Sequence, residues 1–590
     1  MREALLEGCL FAGLAIVLWT ETLSVLSLLQ SAYAWPCWIA IALFAARSLH
    51  IAIRQTTISV HWWEYPLALA LLSIASIVGA TAVLSAPNSV DALAYHLPRI
   101  IYWLQQQSVQ FFPTVYFNQL SMPPFAEYLM LHTFLLSGGD RLVNLVQCGG
   151  YLLAIAASSL SVRELGGSRS AQWLAAIFTA TLPGAILQAS GAKNDCVLAG
   201  LLLAALHFGL RGSHFWFAAA GALAVFTKST AYLFLPPLLA AVIMLRGNAA
   251  RTLAITLGLI LAINGPHYAR NIDLSGSPLG FDSAQGDGVF RWRNETIGPA
   301  AAFSNLLRHT SEQLGGRSDR WNKFVFDTVV GIHHRAGINP HDPATTWPHE
   351  TYKPPRNANH EANIHNRWHL ALYLASGIYL FATVRRDTAS RPLAILFAAA
   401  VFALLGFCAY LKWQPFMQRL LVPLFALAAP PAAVTLSKLP RPFLLGIVLL
   451  LLNNTRPYLK ENWIRPLSGP NSLLRTARPD QYFNDMTPWN RKPAYLDSAG
   501  FVRNSKCAEV GLDIFHLQIE YPLQILLRRH NPAIRFQHTG VDNASSKYAR
   551  NEPAPCAVIC LSCLGNAAKE AAYSSYPVRK EFMDFIVYTR

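Results

Sequence analysis

Charged residues are scarce in this 590-residue sequence. They make up 14% of the chain, whereas soluble globular proteins carry roughly 25%. Hydrophobic residues reach 53%, and they form long uncharged blocks with no amphipathic period. The shortage of charge argues against a soluble protein and favours a polytopic membrane protein.

Acidic residues are the scarcer of the two charged classes. Lys and Arg number 48 and Asp and Glu 32, for a formal net charge of +16. Such a surplus suits nucleic acid, anionic lipid or an anionic substrate. The basic residues stand singly or in pairs between apolar blocks, and no basic cluster is interleaved with aromatic residues. This distribution argues against a nucleic-acid partner and is what the positive-inside rule produces.

Cysteine is also sparse, with nine residues. Five lie in or beside apolar segments, where a small hydrophobic residue is expected: Cys9, Cys37, Cys148, Cys196 and Cys408. The polar C-terminal part contains Cys507, Cys556, Cys560 and Cys563. The last three resemble half of a zinc site, but no His or further Cys follows at ligand spacing. A disulfide or free buried thiols are therefore favoured over zinc.

Several motifs are missing as well. The sequence has no Walker motif, G-x-S-x-G or H-E-x-x-H at a plausible position, so ATP hydrolysis, α/β-hydrolase chemistry and zinc proteolysis have no support. The first apolar stretch lacks a basic n-region beyond Arg2 and a clear cleavage site, and it is predicted to be a membrane helix. No repeat or inverted pair of hydropathy halves is visible, which weakens the case for a secondary transporter.

The apolar blocks predict the fold class. A hydrocarbon core of about 30 Å needs roughly 20 helical residues. We predict a mainly α polytopic membrane protein with about 13 transmembrane helices and a small α+β extracytoplasmic C-terminal domain. The predicted spans are approximately 4–29, 33–53, 64–86, 140–162, 170–189, 195–210, 213–228, 230–245, 251–266, 369–384, 391–410, 418–437 and 441–453.

The positions of Lys and Arg predict the orientation. With the N-terminus inside, every predicted inner turn carries positive charge. The loops 87–139 and 266–368 and the C-terminal tail then lie outside. We predict an N-terminal hairpin at 1–60, a transmembrane catalytic module at 61–453 and the extracytoplasmic domain at 454–590.

Two local patterns refine this map. Between Asp91 and Gln107 apolar residues recur at helical spacing, which predicts an amphipathic helix lying on the membrane surface. The pairs Pro236-Pro237 and Pro430-Pro431 lie within predicted spans, and we expect them to kink helices around a cavity.

Ionisable residues at the membrane border are candidates for function, because they are costly there without partners. Each also has a purely structural interpretation, as a helix cap, a snorkelling side chain or an interfacial anchor. The candidates are Asp91, Asp195, Lys228, His267, Arg270 and Arg419. The predicted topology delivers them to the outer face, which suits transfer from a lipid-linked phosphate to a hydroxyl. In this interpretation Asp91 is the base, and Lys228, Arg270 and Arg419 bind phosphate.

Several segments resemble stations of the GT-C superfamily of membrane glycosyltransferases. They include the Pro-Pro stretch from Asn118 to Gln147, preceded by D-A-L-A-Y-H-L-P-R, and later K-N-D, T-K-S-T-A-Y, H-Y-A-R-N and Q-R-L-L-V-P. The resemblance covers about residues 60 to 440. The segments are similar to those of bacterial protein O-mannosyltransferases and aminoarabinose transferases. It implies that Asp91 is catalytic. The supporting residues in these stations are Tyr95, His96, Arg99, Asn194, Asp195 and His267.

The resemblance also implies a divalent cation, Mg²⁺ or Mn²⁺, but the sequence departs from the pattern. Ser121 and Met122 stand where an acidic residue and a Lys precede Pro-Pro in relatives, and Glu127 is a substitute for that acid. The stretch N-H-E-A-N-I-H-N-R-W-H-L resembles the metal-binding part of the large loop, although Ala362 replaces a second acid. The candidate metal ligands are Glu127, His360, Glu361 and His365.

The leading hypothesis is an inverting glycosyltransferase of a bacterial inner membrane. It uses a polyprenyl-phosphate sugar donor and a lipid, glycan or protein acceptor outside the cytoplasm. The alternative from another class is a lipid-linked sugar flippase or transporter. A third hypothesis is a structural assembly protein with a degenerate site.

Overall fold

The computed structural model describes residues 2–55, 60–281, 292–485, 491–515, 518–550 and 553–590. Three long helices open the chain: α1 (Arg2–Val25), α2 (Ser31–Gln55) and α3 (Glu64–Leu84). A π-helical turn, Ala92–His96, leads into α4 (Leu97–Gln106), α5 (Asn118–Ser121) and α6 (Phe125–Ser137). Helices α1 and α2 pack against each other, and both also contact α6.

The next helices form the centre of the molecule. They are α7 (Leu145–Glu164), α8 (Arg169–Ala180), α9 (Pro183–Gln188), α10 (Asp195–Arg211), α11 (His214–Thr227), α12 (Ala231–Arg246) and α13 (Ala249–Ser275). Helix α10 is buried along almost its whole length because α7, α11, α12 and the later helix at Val422–Leu427 surround it. Its near-continuous apolar sequence fits such an enclosed position.

The second long loop and the remaining membrane helices follow. They are α14 (Pro299–Gln313), α15 (Asp319–Arg335), α16 (Arg367–Thr383), α17 (Arg391–Tyr410), α18 (Val422–Leu427), α19 (Ala429–Leu436) and α20 (Arg441–Asn454). Short 3₁₀ turns occupy Thr388–Ser390, Met417–Leu421 and Ala544–Tyr548. Part of the loop 266–368, at 282–291, lies outside the described residues.

Helices occur at all thirteen predicted spans, but the count of thirteen transmembrane helices is not confirmed. Six helices in the described chain are long and apolar enough to cross a membrane, or seven if the bent pair over Met417–Leu436 is one span. The predicted span 170–189 is divided between α8 and α9, and α11 has only 14 residues. Burial inside the protein allows apolar helices shorter than a bilayer.

The two proline pairs behave differently. The bent pair turns by 50° at the break before α19, which begins just ahead of Pro430-Pro431. Both prolines are buried, so the predicted bend is confirmed there. Helix α12 instead continues through Pro236-Pro237, and Pro236 is exposed on the protein surface. The expectation that this pair faces a cavity is therefore wrong for Pro236.

The C-terminal part is the small α+β unit that the sequence predicts. Its helices are α21 (Arg456–Lys460), α22 (Arg478–Gln481), α23 (Lys492–Asn504), α24 (Tyr521–Arg528) and α25 (Ala567–Ala572). Its strands are β1 (Glu509–Asp513), β2 (Arg535–His538), β3 (Ala557–Cys560), β4 (Val578–Phe582) and β5 (Phe585–Thr589). They form one sheet in the order β2-β1-β3-β5-β4, with β1 parallel to β2 and β3 and with β5 antiparallel to β3 and β4.

Two disulfides stabilise this unit. Cys507 pairs with Cys556, which joins the starts of β1 and β3, and Cys560 pairs with Cys563 after β3. The open question of zinc, disulfide or free thiol is thereby answered in favour of disulfides. The five cysteines in apolar segments are free, as expected.

The helix predicted between Asp91 and Gln107 is present, but it does not lie on the membrane surface. Its polar side chains are covered by the C-terminal unit: the Tyr102 hydroxyl donates to Glu520 at 3.0 Å, and the Gln105 amide donates to the Phe536 carbonyl at 2.9 Å. The amphipathic pattern therefore reflects a position between two protein layers. The sequence shows that one face is polar, but not that a distant segment covers it.

Candidate active site

Asp91 precedes the π-helical turn Ala92–His96, and this turn determines which side chains surround it. Tyr95 lies four residues later and donates its hydroxyl to Asp91 Oδ2 at 3.1 Å. Arg419, in the 3₁₀ turn before α18, places Nη2 2.6 Å from the same oxygen. The Asp91 and Arg419 side chains retain 19% and 14% exposure, so the pair is partly accessible. Local π-helix is frequent at functional sites.

Lys228 forms a second ion pair beside the first. It ends α11 in an extended conformation, and its Nζ donates to Asp195 Oδ1 at 2.6 Å and to Asn194 Oδ1 at 2.8 Å. Asp195 begins α10, and its buried Oδ2 has no hydrogen-bond partner among the described residues. We refer to Asp91, Tyr95, Asn194, Asp195, Lys228 and Arg419 as the Asp91 cluster.

A third group, the Glu361 cluster, consists of Lys193, Glu361 and Arg465. Both cations form ion pairs with the Glu361 carboxylate, and all three side chains are buried. The Arg465 guanidinium also donates to Asn88 Oδ1 at 2.9 Å and to Ser190 Oγ at 3.0 Å. Burial alone would raise the pKa of Glu361, but Arg465 and Lys193 hold it below its usual value. Glu361 is therefore a carboxylate.

The two clusters share one electrostatic environment. Burial alone would raise the pKa of Asp91, but the positive charges of Arg419, then Lys193, His96 and Lys228, hold this pKa below its ordinary value. Across both clusters three carboxylates face four cations: Arg419, Lys228, Lys193 and Arg465. One positive charge remains, which favours an anionic ligand such as a phosphate group.

On the other side of the π-helical turn lies the Glu127 cluster, formed by His96, Arg99 and Glu127. Glu127 Oε1 is 2.8 Å from His96 Nδ1 and 3.2 Å from Arg99 Nη1. Arg99 also donates to the carbonyls of Leu120 and Met122, both at 3.1 Å. It thereby holds the chain just before Pro123-Pro124. His267 contacts the same stretch through the Ser121 carbonyl, at 3.1 Å.

Arg270 is not part of these clusters. It makes a two-pronged ion pair with Glu21 of α1, with distances of 2.7 and 2.9 Å, and its Nη2 donates to the Tyr128 hydroxyl at 3.3 Å. This interaction connects α13 to the N-terminal hairpin. Of the three cations predicted to hold phosphate, the structure brings Lys228 and Arg419 to Asp91 and leaves Arg270 with Glu21.

The four candidate metal ligands do not converge. Glu127 binds His96 and Arg99, Glu361 binds Lys193 and Arg465, and His360 Nε2 lies 2.8 Å from Asp485. The His365 ring nitrogens are buried without a hydrogen-bond partner in the described chain. Because cationic side chains already neutralise the carboxylates, these residues do not fit a divalent cation.

One other set of side chains has metal-ligand spacing. Within the described ranges it consists of Asp513, Cys560 and Cys563. Both cysteines are in a disulfide, so no thiolate is present to bind a metal.

Arg465 is the site residue that sequence reasoning missed. It lies in W-I-R-P-L of the tail, beyond the last membrane helix, in a composition typical of a soluble domain. Its side chain is fully buried against Glu361, 104 residues earlier in the chain. Pairings at such separation leave no local pattern, so only the fold reveals this contact.

Sequence comparison finds no matching protein family and no matching curated protein. Solved structures that match this chain include the following three. ArnT from Cupriavidus metallidurans bound to undecaprenyl phosphate has a TM-score of 0.48 at 15% identity, covering 89% of this chain and 98% of that one. Its apo state gives 0.45 at 16% identity, covering 88% and 97%. The apo Archaeoglobus fulgidus oligosaccharyltransferase gives 0.45 at 15% identity, covering 81% and 65%.

Proposed function

We propose that this protein is an inverting membrane glycosyltransferase. It moves a sugar from a polyprenyl-phosphate donor to a hydroxyl group of a lipid, glycan or protein. The observation that carries the proposal is the Asp91 cluster, in which a partly exposed carboxylate lies 2.6 Å from a guanidinium and beside a second ion pair. Such a site offers a proton acceptor and phosphate-binding cations side by side.

The reaction assigns a role to each side of the cluster. The acceptor oxygen attacks the anomeric carbon of the sugar from the face opposite the phosphate, which inverts the configuration. Asp91 accepts the hydroxyl proton as the new carbon–oxygen bond forms. The bond between the anomeric carbon and the phosphate oxygen breaks, and its electrons leave with the polyprenyl phosphate. Arg419 and Lys228 stabilise the charge that develops on the departing phosphate.

Donor binding tunes Asp91 for this role. In the described structure Arg419 holds Asp91 ionised. An incoming phosphate competes with Asp91 for the same guanidinium, which weakens the ion pair and adds negative charge nearby. Both changes raise the pKa of Asp91 and make it a better proton acceptor once donor is present. The base is thus activated when the substrate arrives.

The remaining charged residues support this arrangement. Lys193 and Arg465 fix Glu361 and maintain the positive balance around Asp91. Asn194 and Asp195 orient Lys228, and Tyr95 orients Asp91. For Arg270, phosphate binding requires that the donor replaces Glu21 as its partner.

The cellular side of the proposal rests on charge distribution. The Asp91 and Glu361 clusters lie beside the C-terminal unit. Arg465 of this unit donates to the Asn88 side-chain oxygen, and the Asn88 amide donates to the segment that contains Arg465. Away from these clusters, near the start of α1, Arg163 forms an ion pair with Glu3 at 3.1 Å. By the positive-inside rule the turn with Arg163 is cytoplasmic. We therefore assign the site to the outer face of a bacterial inner membrane.

Turnover of a lipid-linked donor tests the proposal directly. The detergent-purified full chain is incubated with a panel of polyprenyl-phosphate sugars, and released polyprenyl phosphate is measured together with the anomeric configuration of the product. We expect release and inversion by the wild type and a loss of at least about 10²-fold in Asp91→Asn. Asp387→Asn is the matched control, since Asp387 is exposed and pairs with Lys438 outside the clusters.

The same experiment separates the transferase from a flippase. Release of polyprenyl phosphate by the wild type and not by Asp91→Asn supports the proposal. Donor binding without release under any condition, combined with movement of the donor across proteoliposomes, would instead support a transporter. Equal release by Asp91→Asn and wild type would remove Asp91 as the base.

A further inference from the structure

A cavity of about 240 Å³ lies between α4 and the edge strand β2 of the C-terminal unit. We propose that it binds an anionic saccharide portion of the acceptor, remote from the hydroxyl that reacts. This inference deepens the proposed function and depends on it for the identity of the ligand as an acceptor. We refer to this cavity as the α4–β2 pocket.

The charge of the lining selects an anion. Arg535 and Arg550 line the pocket, and none of its lining residues is an Asp or a Glu. The Arg550 guanidinium lies 3.4 Å from the Gln106 side-chain oxygen, on the α4 wall of the pocket. Arg535 lies 3.6 Å from Glu509, at the long end of an ion pair. Two guanidinium groups without a lining carboxylate favour a phosphate or carboxylate ligand.

His538 is held at the wall of the pocket by hydrogen bonds on both ring nitrogens. Its Nε2 is 2.9 Å from the buried Glu520 carboxylate, and its Nδ1 is 3.0 Å from the Pro113 carbonyl oxygen. Tyr102 and Gln119 also donate to Glu520. The His538 ring therefore has a fixed place behind the pocket.

The other lining groups suit a sugar ring. The aromatic side chains of Phe112 and Tyr548 offer apolar faces against which the C–H face of a pyranose can pack. Gln105, Gln106 and Gln537 provide amides, which both donate to and accept from hydroxyl groups. A flat apolar wall, several amides and two guanidinium groups together match an acidic or phosphorylated sugar better than a free inorganic anion.

The position of the pocket fits the acceptor and not the donor. Tyr102 lies eleven residues after Asp91 along continuous helix, which corresponds to roughly 16 Å at the α-helical rise. A group in the pocket is therefore too far from Asp91 to react. Binding energy from a remote part of a substrate can position its reacting hydroxyl. Because Glu520 connects Tyr102 and Gln119, the pocket and the π-helical turn belong to one hydrogen-bonded framework.

Direct binding measurements test the pocket. The detergent-solubilised full chain is titrated calorimetrically with glucose, glucuronate, glucose 1-phosphate and a triglutamate peptide. The variants are Arg535→Ala/Arg550→Ala and Arg550→Lys. Arg579→Ala is the control, since Arg579 is an exposed residue of β4 that pairs with Glu570 at 2.9 Å outside the pocket.

We expect one or both anionic sugars to bind and glucose to bind at least about tenfold more weakly. The double variant should lose about tenfold or more in affinity for these sugars. Arg550→Lys should lose less affinity than the double variant, and Arg579→Ala should bind as the wild type does. Equal affinity for glucose, tighter binding of triglutamate or unchanged affinity in the double variant would each overturn the proposal. A second readout separates this from the proposed function. Release of polyprenyl phosphate by transfer of the sugar to water, measured without acceptor, should be the same in the double variant and the wild type, whereas the double variant should raise the KM for acceptor.

Discussion

Tyr95 and His96 are neighbours in the π-helical turn, but their side chains enter two clusters that differ in exposure. The Tyr95 side belongs to the Asp91 cluster, where Asp91, Arg419 and Lys228 keep 19%, 14% and 18% of their side-chain surface exposed. The His96 side belongs to the Glu127 cluster, where no side chain exceeds 1%. Both clusters contain an acid, an Arg and a His or Lys.

The difference shows what distinguishes a site from a structural brace made of the same residue types. In the Glu127 cluster, Arg99 donates to two backbone carbonyls and to a fully buried acid, and none of these side chains is open to solvent. In the Asp91 cluster the charges are reachable, and the balance with the Glu361 cluster is positive. Fully buried ion pairs contribute mainly to stability, whereas partly exposed charges with a net positive balance can act on a ligand.

The largest expected effect is on stability, from Arg99→Ala. Removing this guanidinium leaves the buried Glu127 carboxylate without one of its partners, which costs about 3–5 kcal/mol for a buried pair. Thermal unfolding of the detergent-solubilised protein, followed by tryptophan fluorescence, measures the loss. Arg579→Ala, at an exposed ion pair, should leave the melting temperature close to that of the wild type. An unchanged melting temperature in Arg99→Ala would show that the Glu127 cluster is not a brace.

The opposite pattern is expected for Arg419→Ala. This change removes the proposed phosphate-binding donor, which is partly exposed, so kcat should fall by about 10²–10³-fold with only a small shift in melting temperature. Arg419→Lys should recover part of the activity, because a Lys keeps the charge but not the two-pronged geometry. Single-turnover release of polyprenyl phosphate gives the rate. Equal kcat values for Arg419→Ala and wild type would contradict the assignment.

The third prediction concerns pH. Burial alone would raise the pKa of Asp91, but Arg419 above all, and then Lys193, hold it below its ordinary value of 3.8. The ionised form is present above this depressed pKa and is lost as pH falls through it. The kcat/KM of the wild type should therefore stay level on the acidic side down to about pH 5. In Arg419→Gln the acidic limb should move to higher pH, and an unmoved limb would show that another group titrates.

The smallest effect is expected from chelation. Lys193 and Arg465 occupy the Glu361 carboxylate, so EDTA should change turnover by less than about twofold. The same assay with added Mg²⁺ or Mn²⁺ completes the comparison. Abolition of activity by EDTA and its recovery with Mn²⁺ would show that a cation enters the cluster despite these ion pairs.

Much of the fold could be predicted from the sequence, because hydrophobic runs are local signals. All thirteen apolar segments contain helix, and β3 lies within the apolar run Ala557–Leu561. The run from Phe582 to Tyr588 is divided by a turn at Met583, whose φ of 56° ends β4. Positive φ at a non-glycine residue is hard to infer from composition.

The site was less predictable, because its partners come from distant segments. Asp91, Lys228 and Arg419 could be selected from their places at the ends of apolar spans, and the structure brings them together. The pairing of Arg270 with Glu21 could not be predicted, because Glu21 lies within the first membrane helix, 249 residues earlier. Ion pairs across such separations depend on helix packing, which a single sequence does not show.

The position of Arg465 has a consequence for biosynthesis. Its guanidinium reaches Glu361 from beyond the last apolar helix, so the ribosome makes this partner only after every membrane segment. At a translation rate of about 5–20 residues per second, Arg465 is synthesised roughly 5–20 s after Glu361. A nascent or truncated chain that ends before Arg465 therefore has an incomplete electrostatic environment around Asp91. The ion pairs around Glu361 and Asp91 are therefore completed only after the helices that carry Asp91, Asp195 and Lys228 have been synthesised.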